Sequence, residues 1–513
     1  MRNRKQYLAL LAALLLLCTA LPGFAEEDPQ LYSISDLKGK RVAIQTGTNH
    51  DGLLAENEEL AGSMEVSYYN NPPDMVEALK AGKADAVILD KPVAQIYCNE
   101  NPELMILPEQ MDINDFGIGF AKGSPYTAKF NSALAKMREN GELAEIDARW
   151  LGVDASVKVP LKQDWEPVNG TLRYWVDTTY EPMSYMGEGG MLLGYDVDVV
   201  MHAARIMGYG VEITPCNFDG LIPALVSGKA DLVSSGLSIT PERAESIDFS
   251  DSYYTGSVTV VVRDYSYTSS DGNFWEGLKE SFEKTFIREN RWQMFLEGIG
   301  NTLLITVLAA LFGTVLGFAI YMLCRKTGRK VSVCFEALFS LLERMPVIVF
   351  LMVLYYIIFG SVDISGVAVS VVAFTLTFSA AMYGMLKTGV SAVGPGQTEA
   401  AYALGYTDRK AFFKIILPQA AGICIPSYRS ELISLVKGTA VVGYIAVQDL
   451  AKMGDIIRSR SYEAFFPLLT TSLIYVALTR LLTLLINHLE HVTDFRRRKP
   501  EAILKGVNVK CVK

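Results

Sequence analysis

The sequence predicts a multidomain chain, in which a two-lobed α/β half precedes an all-α half with five membrane spans. Three observations carry this reading. Half of the 513 residues are hydrophobic and they concentrate in the C-terminal half, which lifts the mean hydropathy to +0.22. Two stretches of the N-terminal half echo each other, ALKAGKADAVILD at 78–90 and ALVSGKADLVSSG at 224–236. Between two long apolar runs lies EAAYALGYTDRKAFFKIILP, 399–418, a polar insertion with a glycine at its centre.

Taken in order, residues 1–25 read as a secretory signal. Arg2, Arg4 and Lys5 precede the run LALLAALLLLCTAL, and small residues follow near Ala25. An uncleaved anchor helix is the alternative, and either fate puts residue 30 onward outside the cytoplasm. Leu17 stands where a lipid-attachment motif would place a small residue before Cys18. Residues 31–265 alternate strand and helix patterns. Each echo is a helix end, a glycine turn and a buried strand, and each follows a strand–helix unit. Such alternation argues for α/β units. Two similar lobes imply a cleft between them, at the carboxyl ends of their strands.

Residues 266–295 form a polar and aromatic linker. Phe274, Trp275, Leu278 and Phe282 recur at helical spacing. Trp275 and Trp292 suit a membrane interface, and packing on the binding domain is the alternative. The spans are expected near 296–324, 333–359, 366–387, 411–446 (broken by Pro418 and Pro426) and 464–488, each near the required length of about 20 residues. RKTGRK (325–330) and RRRK (496–499, in the tail 491–513) mark the cytoplasmic side. Lys452, Arg458 and Arg460 then fall in the last external loop, against that rule, beside Asp449, Asp455 and Glu463.

Several chemistries are excluded. GxxxxGK[ST] is absent, so ATP hydrolysis would belong to a separate chain. CxxC, HExxH and EF-hand patterns are also absent, the four histidines are scattered, and no metal site is supported. The formal net charge of −9 gives no support to nucleic-acid binding. Of seven cysteines, only Cys98 and Cys216 would face an oxidising compartment.

The polar insertion resembles the EAA loop of ABC importer permeases, through which the membrane subunit grips its ATPase. The residues that carry the resemblance are Glu399, Ala400, Ala401, Gly405, Ile415, Leu417 and Pro418. Residues 295–490 resemble the polar amino-acid permease family through GNTLLITVLAALFGTVLG, RMPVIVFL, GQTEAAYALGYT, ILPQA and LVKGTAVVGYIAVQDL. Arg344-Met345-Pro346, Gly384 and Lys387 depart from its pattern. In the soluble half, GYDVDVVMHAARIMG and FDGLIPALVSGKADLVSSGLSITPERAESIDFSDSYY resemble the first lobe of polar amino-acid solute-binding proteins. DLKGKRVAIQTGTNHDG, EALKAGKADAVILDKPVAQIY and FGIGFAKGS resemble the second. The implied fold is the type II periplasmic-binding-protein-like domain.

The order departs from that family, because the second-lobe type (39–116) precedes the first-lobe type (117–151 and 170–262). A circular permutation with its new ends in the inter-lobe hinge would give this order and leave one covalent crossing near Phe116–Lys122. Two half-domains, each completed by another chain, would give it as well.

The resemblance implies a site for a free amino acid. Arg243 would grip the carboxylate, with Ser238, the backbone at Gly236 and Thr48 beside it. Asp90, from the other lobe, would hold the ammonium. Tyr180 and Phe218 would wall the cleft, and Asp177 would touch a polar or cationic ligand side chain. Gly236 replaces a serine of some relatives. The implied partners are an ABC ATPase dimer, a second permease subunit, a polar amino acid and the lipid bilayer, with no cofactor bound directly. Ligand-gated channels and membrane sensors share the two-lobe fold. A channel filter of the TVGYG kind and a cytoplasmic signalling domain are both missing from the pattern, and an enzyme on this fold would not need five spans.

Overall fold

A computed structural model of the chain describes residues 30–493, apart from 57–59, 61, 153–157, 188–189, 268–273, 361 and 363. The expected signal (1–25) and the tail beyond 493 lie outside the described residues. Among the described residues there are thirteen strands: β1 (Arg41–Gln45), β2 (Glu65–Tyr69), β3 (Ala86–Asp90), β4 (Leu104–Phe116), β5 (Gly119–Ala121), β6 (Thr171–Asp177), β7 (Thr179–Tyr180), β8 (Ser184–Met186), β9 (Leu192–Leu193), β10 (Gly210–Cys216), β11 (Leu232–Ser234), β12 (Ile247–Phe249) and β13 (Tyr254–Arg263). They form two five-stranded sheets, ordered β2-β1-β3-β13-β4 and β10-β6-β11-β5-β12, and a small sheet β7-β8-β9.

The sequence echo is a structural one. In each copy a helix (Pro72–Lys80, Leu221–Val226) ends at a glycine of positive φ, Gly82 or Gly228, a conformation glycine adopts without penalty. A strand buried along its whole length, β3 or β11, follows. The aspartate of each GKAD motif then anchors the neighbouring parallel strand. Asp85 accepts the Arg41 backbone N–H at 2.8 Å and pairs with its guanidinium at 2.5 Å. Asp231 does the same for Arg173, at 2.8 Å in both contacts.

The connection between lobes corrects the expectation. β13 does not stay with β6 and β11; it lies antiparallel between β3 and β4. Two segments therefore cross between the sheets, β4 to β5 and β12 to β13, where one was expected. The first-lobe boundary at 262 moves back to the β12–β13 turn. The two ends of the segment 31–265 lie away from these crossings. Val262 and Val42 both register with Ala86, so Arg41 and Val262 share one end of the sheet. There the Gln30 side chain donates to Arg263 C=O at 2.9 Å and accepts from Tyr265 N–H at 2.8 Å. The run VTVVV specifies a strand, but only tertiary contacts choose which sheet it joins.

The helices Tyr126–Glu139 and Glu142–Leu151 pack on Tyr195–Met207, in the β6 lobe. Trp150, 1% exposed, donates to Asp198 at 2.8 Å.

Among the described residues of the helical half, four helices are long and apolar enough to cross a membrane: Trp292–Thr327, Gly366–Ser391, Asp408–Ile445 and Phe465–His488. The second expected span is not one straight helix. Arg329–Arg344 and Val347–Ile358 meet at 108°, where Pro346 forces Met345 into extended backbone. Pro418 and Pro426 do not break the fourth. Pro418 occupies the first turn of the helix Leu417–Gly438, Pro426 lies inside it, and a π-helical stretch, Phe412–Ile416, leads in. Glycines let the first and third spans approach, since a Cβ at Gly317 would stand 2.6 Å from Ser379 C=O. The linker helix Phe274–Phe282 packs on the helical half, with Phe282 5.8 Å from Phe466.

Candidate functional site

Seven of the eight expected ligand residues line one cavity between the sheets: Thr48, Asp90, Tyr180, Phe218, Gly236, Ser238 and Arg243. The lobes are closed on it, leaving about 10 Å³, the space of about one water. Arg243, at the start of the helix Pro241–Ser246, donates to Ser238 C=O on its own lobe and to Gly47 C=O across the cleft, both at 2.8 Å. Its guanidinium lies 5.7 Å from the Phe218 ring. Asp90, at the end of β3, accepts from the Tyr180 hydroxyl of the opposite lobe. Its other oxygen, Oδ1, is buried without a well-formed hydrogen bond.

The electrostatics follow from burial. Desolvation pushes the Asp90 carboxyl up to about 6, against the pull of Tyr180, Asn114 and Arg243. Arg243 is pushed down to about 10 by burial, opposed by Asp90. His50 is pushed down to about 4 by burial and by Arg243, and is neutral. The site thus presents a desolvated cation and a desolvated anion from opposite lobes, each short of a full charge partner.

Two expectations are corrected. Asp177 does not line this cavity; its carboxylate turns back to accept Thr179 N–H at 2.9 Å and the Thr179 hydroxyl at 2.8 Å. The Gly236 N–H is not free for a carboxylate, because Asp196 accepts it at 2.8 Å. Gly236 has φ +58°, and a Cβ there would stand 2.8 Å from the Tyr180 ring, so a serine would not fit this geometry. Thr48 donates to Gln45 C=O at 2.7 Å. Gln45, Asn49, His50 and Ser235 also line the cavity and were not singled out from sequence. Their signal was adjacency, since they flank Thr48 in QTGTNH and Gly236 in SSG.

The cavity sits on the helical half through the helix Leu450–Ser461 and the residue after it. This segment carries the basic residues that ran against the charge rule. Lys452 donates to Asn217 of the β6 lobe, and Arg460 joins Glu181 of that lobe to Glu289, which precedes the first span. Arg458 pairs with Asp74 of the β1 lobe at 2.5 Å. Tyr462 donates to Glu181 at 2.7 Å and meets Tyr97 edge-on at 5.3 Å, so it too touches both lobes. The lobes dock differently. Trp175, Cys216, Phe218 and Leu221 of the β6 lobe share one apolar cluster with Phe350, Leu351 and Tyr355. Lys229 adds a hydrogen bond to Phe359 C=O at 3.0 Å. The β1 lobe meets the helices through Asp74, Tyr97 and Asn70, whose amide reaches the Tyr444 hydroxyl at 3.2 Å.

The elbow lies at the other end of the first span. The helix Pro395–Ala403 carries Glu399, Ala400 and Ala401; the first two are exposed and Ala401 is buried. Gly405 follows at φ +79°, and Tyr406 N–H closes the turn on Ala401 C=O at 3.0 Å. Thr407 caps the next short helix, Asp408–Ala411. Ile415 lies in the π-helical stretch, and Leu417 and Pro418 open the long helix. Arg325 moors the elbow by pairing with Asp408 at 2.6 Å and stacking on Phe412 at 4.1 Å.

Comparison with known proteins matches residues 172–499 to the model of bacterial extracellular solute-binding proteins, family 3. The helical half is similar to the probable glutamine ABC transporter permease protein GlnM of Bacillus subtilis, 29% identical over 39% of this chain and 94% of that protein. It is similar to the arginine transport system permease protein ArtQ of the same organism, 31% identical over 37% of this chain and 87% of that protein. A solved amino acid ABC transporter with histidines aligns at 26% identity over 43% of this chain and 99% of that one, with a TM-score of 0.37. The chain belongs to the bacterial extracellular solute-binding proteins of family 3, joined in one polypeptide to an amino-acid ABC transporter permease.

Proposed function

We propose that this chain is the binding and membrane-spanning subunit of an ATP-driven importer for a polar amino acid. The observation that supports it is that Arg243 and Asp90 face one closed cleft from opposite lobes, seated directly on permease-like helices. A free amino acid offers a carboxylate and an ammonium, and each would complete a desolvated group of the cleft. The relatives named for glutamine and arginine agree with a polar ligand. Asp177 gives no ground for choosing between ligands, since it lies outside the cleft.

In this reading the binding domain lies outside the cytoplasmic membrane. The basic segment 325–330 faces the cytoplasm, and Lys452, Arg458 and Arg460 are external because acidic groups of the binding domain neutralise them. A separate ATPase dimer docks on the elbow around Glu399 and Gly405, and a second permease subunit completes the pathway. The strand order is that of one binding domain circularly permuted within the β1 lobe, where Gln30 closes the cut. Both hinge strands then stay covalent, and the β6 lobe holds to the permease while the β1 lobe swings to admit ligand.

Calorimetry of the full chain in detergent against the amino acids tests the reading. Arg243→Ala and Asp90→Ala should each weaken binding by about 3–5 kcal/mol, as for breaking a buried charge pair. Near-wild-type affinity in either variant removes the cleft from ligand binding.

A further inference from the structure

A second cavity lies beneath the cleft, where both lobes meet the helical half. It holds about 80 Å³, far more than the closed cleft. Its walls come from three places. Asn70 and Asp74 belong to the β1 lobe, Asp177 and Asn217 to the β6 lobe, and Lys452, Asp455 and Ala440 to the helical half. Asp177 and Lys452 are 2% and 8% exposed, so charges of both signs are withdrawn from solvent around one polar space.

Sequence neighbours face the two cavities. Thr179 faces the lower cavity and its neighbour Tyr180 the cleft; Asn217 faces the lower cavity and its neighbour Phe218 the cleft. On the β1 lobe the Gln45 side chain, which lines the cleft, donates to the backbone of Asn70 at 3.2 Å. Tyr180 also holds Asp90 across the cleft. That bond would have to break for the lobes to open, whereas the bond of Lys452 to Asn217 lies on the other side of the β6 lobe's wall and need not.

We infer that the lower cavity is a transit site that receives the zwitterionic amino acid as it leaves the cleft, before it enters the helices. Lys452 and Asn217 offer donors to its carboxylate; Asp177 and Asp455 offer acceptors to its ammonium. Two separated charge-complementary sites let the ligand exchange one desolvated position for another without crossing an apolar gap. This explains why Asp177, next to the cleft in sequence, faces away from it. The inference rests on the importer reading above.

The test uses the full chain with its ATPase in proteoliposomes, with L-glutamine and L-arginine as probes. Ala440 is exposed in this cavity, so Ala440→Trp fills the space without disturbing a packed core. Asp177→Asn removes one charge at constant shape. Cleft affinity, read by calorimetry, should stay within threefold of wild type in both. Uptake should fall at least tenfold in Ala440→Trp, and the KM of uptake should rise about tenfold in Asp177→Asn. Normal uptake in Ala440→Trp, with cleft binding intact, overturns the transit site. Weakened cleft affinity in Asp177→Asn also overturns it, by returning Asp177 to the cleft. A wild-type chain that binds none of the amino acids by calorimetry counts against the importer reading instead.

Discussion

Replacing Arg460 by methionine should loosen the binding domain from the permease. The Arg460 side chain is 11% exposed; one guanidinium nitrogen contacts Glu181, at 15% exposure, and another contacts Glu289, at 29%. Its plane also stacks on Tyr185 at 4.6 Å. Methionine keeps most of the packing and leaves two carboxylates facing an uncharged site. Breaking a buried pair from one side costs about 3–5 kcal/mol. Only Glu181 belongs to the binding domain, and it retains Tyr462, so the lower end, about 3 kcal/mol, applies. That is roughly a hundredfold in the docking equilibrium. A protease site inserted between residues 268 and 273, in a chain whose residues 1–25 have been replaced by a cleavable signal, makes this measurable, because cleavage leaves the binding domain held by non-covalent contacts alone. The wild-type domain should stay on membranes after cleavage, and Arg460→Met should release it. Adding Glu181→Gln removes one stranded charge and should restore part of the retention, with a coupling energy above about 1 kcal/mol. Equal retention of wild type and Arg460→Met, with ligand binding intact in both, would refute the clamp.

Gly405 has φ +79° and no atom within 4 Å of an added Cβ, so Gly405→Ala costs only the left-handed backbone, about 1–2 kcal/mol. Ligand binding should be unchanged and ligand-stimulated ATP hydrolysis reduced, more so in Gly405→Val; normal stimulation in both removes the elbow from coupling. Gly236→Ala combines φ +58° with a 2.8 Å approach to Tyr180, a cost of about 2–4 kcal/mol to the closed state. Calorimetry should show affinity at least about thirtyfold weaker, and a loss under threefold refutes the crowding argument. Burial raises Asp90 to about 6, so unliganded closure gains from acid and loses that gain as pH rises through about 6. The ligand ammonium needs the carboxylate, so affinity should fall about tenfold per pH unit below 6. His50, pushed down to about 4, weakens closure as it gains a proton, so the titration is read in His50→Gln. Its persistence in His50→Gln/Asp90→Asn would exonerate Asp90.

The amino-acid order by itself determined the division into a soluble and a helical half, because hydropathy is a local property of the chain. It determined the elbow and its glycine turn for the same reason. The two GKAD echoes each encode a helix end, a turn and a buried strand within thirteen residues. The resemblance to solute-binding proteins also singled out Arg243 and Asp90, and the fold brings both to one cleft. What it left open depends on contacts between distant residues. The apolar run of β13 fits either sheet, and its pairing with β3 and β4 fixed the hinge at two crossings. Asp177 and Tyr180 are three residues apart, yet they face different cavities because the chain turns between β6 and β7. The second span reads in sequence as one segment, 333–359, and the fold bends it by 108° at Pro346. Arg458 and Arg460 contradicted the charge rule until the fold brought Asp74 and Glu181 against them. An ion pair across hundreds of residues leaves no local pattern, and only the packed molecule brings its two halves together.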